Sequence, residues 1–234
     1  MAEQSANELL VYDGEYDFRL QIDGRYFDMS QIRSTRVSNQ LCDVKFEIGQ
    51  TACGQIDIEM EKPSSDFSRM AKIIPYTRRI DSQTVGDWKR RGIYYIDTRE
   101  EEVDSGGNSL LHLTGYDGML KTSKDYGNLS LTYPATTLSA VRKIASLSGL
   151  ELDTETANLL NDGQTIPEPK YYTGREILGF IAAMYGGSFM MTSEGKLKLV
   201  NMADMLVADE ELEDKVLADQ SNVPIEIGGV YILA

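Results

Sequence analysis

Histidine, cysteine and tryptophan are almost absent from this chain of 234 residues, which holds one His, two Cys and one Trp. A Ser/His/Asp or Cys/His device would have to use His112, and no serine sits in a nucleophile elbow. His112 alternates with Leu111 and Leu113, the pattern of an outward or hydrogen-bonded strand residue rather than a general base. Cys42, Cys53 and His112 form no closely spaced pair, so a zinc site lacks its ligands. Two thiols in a chain of this length fit a reduced intracellular product better than a disulfide scaffold, and both are expected free. No run approaches the roughly 18 apolar residues of a membrane span. The opening MAEQSANELL is acidic where a secretion signal is basic and then apolar, so cytoplasmic synthesis is expected.

Basic residues are scarce as well. Lys and Arg number 23 against 37 Asp and Glu, and the net charge of -14 repels duplex phosphates, which argues against sequence-specific nucleic-acid reading. The acids crowd between Asn201 and Asp219, where Asp204, Asp209, Glu210, Glu211, Glu213, Asp214 and Asp219 face Lys215 alone. That reads as a solvated linker or exposed face, because a calcium loop would need alternating ligands and a central glycine. Glu100, Glu101 and Glu102, or Asp57 and Glu59, are carboxylate groups with no sign of a cleft between them. No catalytic, cofactor-binding or metal residue is therefore assigned. The one dense basic spot is Lys89, Arg90 and Arg91 beside Trp88; it is either a solvated loop or a contact patch for an acidic neighbour.

What the chain does have is enough apolar content, 41%, for a real core, and one stretch where local signals agree on a single unit. Thr173 stands three residues before Glu176 as a capping box, and Ile177, Leu178, Ile181, Ala182 and Tyr185 follow at helical spacing. Gly186 and Gly187 supply a left-handed stop; Phe189 and Met191, a turn at Ser193 to Gly195, then Leu197 and Leu199 make a hairpin. The product is a helix laid against a β-hairpin.

Upstream, from Tyr12 to about Leu131, the pattern is β throughout. Phe18, Leu20 and Ile22 alternate into a turn at Asp23 and Gly24, and Arg25 to Met29 runs back. Val44, Phe46 and Ile48 alternate, as do Ile56, Ile58 and Met60; Arg69 to Tyr76, Gly92 to Thr98 and Leu111 to Thr114 are further strands. So many short strands imply a sandwich or barrel. Tyr116 to Lys121 reads as a short helical turn leaving it. A helix then enters at Pro134 to Thr137, carries Leu138, Val141, Ile144 and Ala145 on one face, and closes at Gly149. The loop NDGQTIPEP is expected to be irregular. The final VPIEIGGVYILA has two apolar runs hinged at Gly228 and Gly229; it either opens a second β region or adds a strand to the first.

Taken in order, GQTACGQIDIEM, VGDWKRRGIYYIDTREE, LHLTGYDGMLK, TTLSAVRKIASLSGL and TGREILGFIAAMYGGSFMMTSEGKLKLV resemble the N-terminal part of the baseplate hub and tail-associated proteins of tailed bacteriophages and prophages. The resemblance covers nearly the whole chain. It implies an α+β protein: a tail-tube-like β-barrel over 1–131, a small α/β domain of helices with a β-hairpin over 132–205, and an acidic linker with the first strands of a second β-barrel over 206–234. It further implies a homotrimeric, non-enzymatic structural protein of the virion tail, without cofactor. Such a hub joins the hexameric tail tube or a distal tail protein above to a spike, fibre or tape-measure C-terminus below, and forms part of the DNA-ejection channel. Two other readings are weighed beside it. A carbohydrate- or receptor-binding module would need an aromatic platform, whereas the 13 tyrosines are scattered. A tail protein associated with a cell-wall hydrolase would need an enzyme motif, and no part of the chain carries one.

Overall fold

The computed structural model describes residues 15–38, 48–80, 85–104, 106–127 and 129–201, with the backbone of 225–227 and 230–232. The first half is strand after strand: β1 (Glu15–Ile22), β2 (Arg25–Asp28), β3 (Ile32–Ser38), β4 (Gln55–Glu61), β5 (Lys72–Ile80), β6 (Lys89–Arg90), β7 (Tyr94–Val103) and β8 (Ser109–Asp117). Asp23 and Gly24, at φ 52° and 80°, take the two left-handed positions that the β1–β2 hairpin turn needs. The strand expected at Val44 and Phe46 lies outside the described residues.

Every pairing among β1 to β8 is antiparallel, in the order β3-β4-β8-β7-β5-β1-β2, with β6 branching from β5. Alternate residues from both ends of that path meet in one core: Phe18, Leu20, Phe27, Val37, Ile56, Met60, Ile73, Tyr94 and Leu113 all belong to it. A flat sheet cannot bring its two ends to one cluster, so this one curls round its own inner face. It does not close. Among the described strands the hydrogen-bonded path ends at β2, which pairs only with β1, so the expected barrel is a curled, open sheet. A bulge in β7 between Ile96 and Thr98 shifts the register and sets Glu100 opposite His112.

The β7–β8 turn shows how the surface acids work. Asp104 accepts hydrogen bonds from the Gly106 and Asn108 amides, both at 2.9 Å, from the Asn108 side chain, and from Arg33 Nη2 at 2.9 Å. The Asn108 side chain first, then the Asn108 amide and Arg33, hold its carboxyl well below the usual range. A depressed carboxyl contributes stability above its unfolded value, and that contribution is lost as pH falls through the folded one. The urea midpoint is expected to drop between about pH 5 and about pH 2, and to drop less in Asp104→Asn.

The second unit follows a 3-10 turn at Gly118–Thr122: β9 (Ala135–Thr136), α1 (Thr137–Leu147), β10 (Glu151–Leu152), α2 (Thr154–Leu159), β11 (Thr165–Ile166), α3 (Gly174–Met184), β12 (Gly187–Met191) and β13 (Lys196–Asn201). The capping box of α3 is complete, with the Thr173 hydroxyl and the Glu176 carboxylate each taking an amide of the other residue. Of the two glycines after α3 only Gly186 is left-handed, at φ 65°. Gly187 opens β12, where a Cβ would stand 2.3 Å from the Val200 carbonyl oxygen. Two elements escape the sequence pattern. Asp153 caps the short α2, and Thr165–Ile166, inside the loop expected to be irregular, pairs with β9. The helical stripes of α1 and α3, with Phe189, Leu197 and Leu199 of the hairpin, form a second core.

The two units are sewn together at one end of the sheet. Residues 48–51 lie along β12 and α3: the Gly49 amide donates to the Gly187 carbonyl at 2.8 Å, the Phe189 amide to the Gln50 carbonyl at 3.1 Å, and Arg175 Nε to the Thr51 carbonyl at 2.8 Å. Two further strands, β14 (Ile225–Ile227) and β15 (Val230–Ile232), form an antiparallel hairpin, and β15 pairs in parallel with β3. These strands therefore lie in the first sheet. The outer edge of β3 has backbone groups to offer, and β15 pairs with two of its residues, Arg36 and Val37.

Candidate assembly surface

The outer faces of β1, β2 and β5 carry Asp17 and Arg19, Tyr26, and Tyr76 and Arg78, in the alternate register to the buried Phe18 and Leu20. Across the sheet Arg19 stands opposite Tyr76 on β5 and Asp28 on β2. Its guanidinium lies 4.2 Å from the ring centre of Trp88, 4.7 Å from that of Tyr26 and 5.1 Å from that of Tyr76. Arg78 covers Trp88 at 4.5 Å and holds Asp17 through Nε at 3.0 Å and Nη2 at 2.7 Å. Asp17, Arg19, Tyr26, Arg78 and Trp88 line an open cleft of about 510 Å3, bordered also by Asp28, Met29 and Ser30. Arg78 has a carboxylate partner and, among the described residues, Arg19 has none: its Nε is buried without a hydrogen-bond acceptor there. Such a cation gains from the three ring faces and still has its charge to offer to an anion.

The basic run read from sequence is split by this geometry. Trp88 enters the cleft, but the cations that face its ring are Arg19 and Arg78 from other strands. Arg90 pairs with Tyr76 in register and so shares the outer face. Lys89 pairs with the buried Thr77, and Arg91 turns back to donate from Nε to the Thr77 hydroxyl at 2.7 Å. Tyr26, Tyr76 and Trp88 do gather on one face, although far apart in sequence. Arg19 occupies the space over their rings, where a sugar would have to stack, so they form no open carbohydrate platform.

A second polar region occupies the outer faces of β4, β8 and β7. In register across these strands stand Glu59, His112 and Glu100, and beside them Glu61, Leu110 and Glu102. His112 Nε2 lies 3.4 Å from Glu102. Neither this row nor any other group of His, Cys, Asp and Glu among the described residues could hold a metal ion. No helix among them is long and apolar enough to cross a membrane.

Cys53 lies at the joint between the two units, and Cys42 lies outside the described residues. The Cys53 thiol donates to Asp117 Oδ1 at 3.3 Å. Burial first, and the adjacent Asp117 charge second, push it far above the ordinary thiol range. Nucleophilic attack requires the thiolate, so Cys53 of the native chain is expected to resist iodoacetamide at about pH 8 and to react only on unfolding, as mass spectrometry of its peptide would read.

No family model matches the chain, and no curated protein matches it either. Its fold is nevertheless similar to that of solved structures. The 43 kDa tail protein of prophage MuSo2 from Shewanella oneidensis aligns with a TM-score of 0.56 at 12% identity, over 80% of this chain and 56% of that one. A tail protein from Neisseria meningitidis aligns with a TM-score of 0.55 at 12% identity, over 79% of this chain and 51% of that one. The chain spans about half the length of the solved structures it matches.

Proposed function

We propose, from a fold shared with a prophage tail protein and a second bacterial tail protein, that this chain is a structural component of a phage or prophage tail. One observation carries the reading: the curled sheet and its α/β companion align together with those two proteins. In this reading the protein acts as a trimeric hub. It joins the tail tube or a distal tail protein above to a spike, fibre or tape-measure segment below, and borders the channel through which DNA leaves. The proposed divisions are a tube-like module over 1–131 and an α/β module over 132–205. Trp88, Lys89, Arg90 and Arg91 are proposed as part of a subunit contact, with Arg19 and Arg78 beside them. A role in assembly rather than catalysis is supported by the outward, acid-flanked position of His112 and by a Cys53 thiol held protonated.

The test is co-expression with the tail-tube subunit of the same particle, followed by mass measurement and electron microscopy of the purified complex. The expected result is a ring with threefold symmetry capping a sixfold tube. A persistent monomer that leaves the tube uncapped would overturn the reading.

A further inference from the structure

The sheet carries opposite charges on two parts of its outer surface. The β1, β2 and β5 side bears Arg19, Arg78 and Trp88 in a cleft that Asp17, paired with Arg78, and Asp28 also line, and Arg90 on the branch strand β6 beside it leaves three cations against two carboxylates. The β4, β8 and β7 side bears Glu59, Glu61, Glu100 and Glu102, where His112 contacts Glu102 and Lys62 pairs with the neighbouring Glu101. These surfaces cannot meet within one copy, because outward faces on different parts of a curled sheet point away from each other. We propose that the Arg19 cleft of one copy receives the Glu59, Glu61, Glu100 and Glu102 face of a second copy.

Three observations favour this occupant. Arg19 is held in place by three rings and makes no ion pair among the described residues, so its guanidinium is already positioned when a carboxylate arrives. Glu59 and Glu100 flank His112 in one cross-strand row, and Glu61 and Glu102 stand in the next, so several carboxylates are presented on one face. The two surfaces are different patches, so the contact is heterologous, and repeating it head to tail makes a ring when the rotation closes. This deepens the hub reading by naming the surfaces through which copies would meet, and the ring geometry rests on that reading.

Sedimentation of the full chain at several salt concentrations tests it. The wild type is expected to self-associate, with a dissociation constant at least about tenfold weaker at roughly 500 mM than at roughly 50 mM salt. Arg19→Glu is expected to weaken association by about tenfold or more, with Arg19→Lys intermediate. Glu59→Lys with Glu100→Lys should weaken it as much, and leaves the Arg19 cage untouched should Arg19→Glu fail to fold. Mixing the Arg19→Glu and Glu59→Lys/Glu100→Lys chains should restore association, since each supplies the surface the other lacks. A wild type that stays monomeric at low salt, or charge variants that associate like the wild type, would overturn the proposal. Charge variants that still cap the tail tube would remove this contact and leave the hub reading standing. Salt-sensitive self-association by a chain that never binds the tube would do the reverse.

Discussion

Replacing Asp117 by alanine is expected to cost about 3 kcal/mol, because two buried amides lose their only acceptor at once. Asp117 ends β8 and is itself buried. One carboxylate oxygen accepts from the Gly54 amide at 2.7 Å, and the other from the Met119 amide at 2.9 Å and from the Cys53 thiol. Gly54 precedes β4 and Met119 lies in the 3-10 turn that leads into the second core, so one side chain fixes three segments at the joint. Asparagine keeps one acceptor but turns an NH2 toward a donor, and should cost about 2 kcal/mol. Urea denaturation gives both values, and hydrogen exchange at Gly54 and Met119 shows whether the loss is local. Burial, the largest cause, raises the Asp117 carboxyl above its ordinary value even though its hydrogen bonds oppose the shift. A raised group contributes stability that is full below its unfolded value and lost as pH rises through the folded one, opposite in sign to Asp104. An Asp117→Asn chain should therefore lose less stability than the wild type as pH rises from about 4 toward neutral.

The second large effect is expected at Gly179, in the middle of α3. At an exposed helical position Gly→Ala would stabilise by up to about 1 kcal/mol. Here an added Cβ would lie 2.6 Å from the carbonyl oxygen of Gly49, a distance that real Cβ atoms essentially never show. The obstruction is backbone and cannot rotate away. Gly49 is itself left-handed at φ 89°, and a Cβ on it would stand 2.9 Å from the Gly179 carbonyl, so each glycine exists to let the other approach. Gly179→Ala must lift residues 48–51 off the helix and stretch the bonds from Gly49 to Gly187 and from Phe189 to Gln50. A net loss of about 2 kcal/mol is expected, and the sign alone decides, since propensity and crowding pull in opposite directions. A variant as stable as the wild type would mean that the segment can detach without loss.

Both positions were invisible in the sequence for the same reason: their neighbours are remote along the chain. Asp117 follows an apolar alternation and Gly179 interrupts a helical stripe, and neither pattern says what will pack there. Features decided within a few residues were legible, including the Asp23–Gly24 hairpin, the Thr173–Glu176 box and the β12–β13 turn. The cleft was half legible. Trp88 with its basic run was visible, but Arg19 and Arg78 come from strands whose register with β2 and β6 only the folded sheet sets. Short α2 was missed because its cap, Asp153, precedes too few apolar residues to make a stripe. The open edge at β2 was missed because strand count suggests closure, while closure depends on whether the two outermost strands pair with each other.

The parallel pairing of β15 with β3 bears on how the chain is made. Arg36 leaves the ribosome early, and its partner Tyr231 emerges only after the whole α/β unit has been synthesised. For that interval β3 presents a bare row of amides and carbonyls, a template for any extended segment nearby. Chains stalled during translation, or clipped before residue 230, are thus predisposed to capture strands from one another.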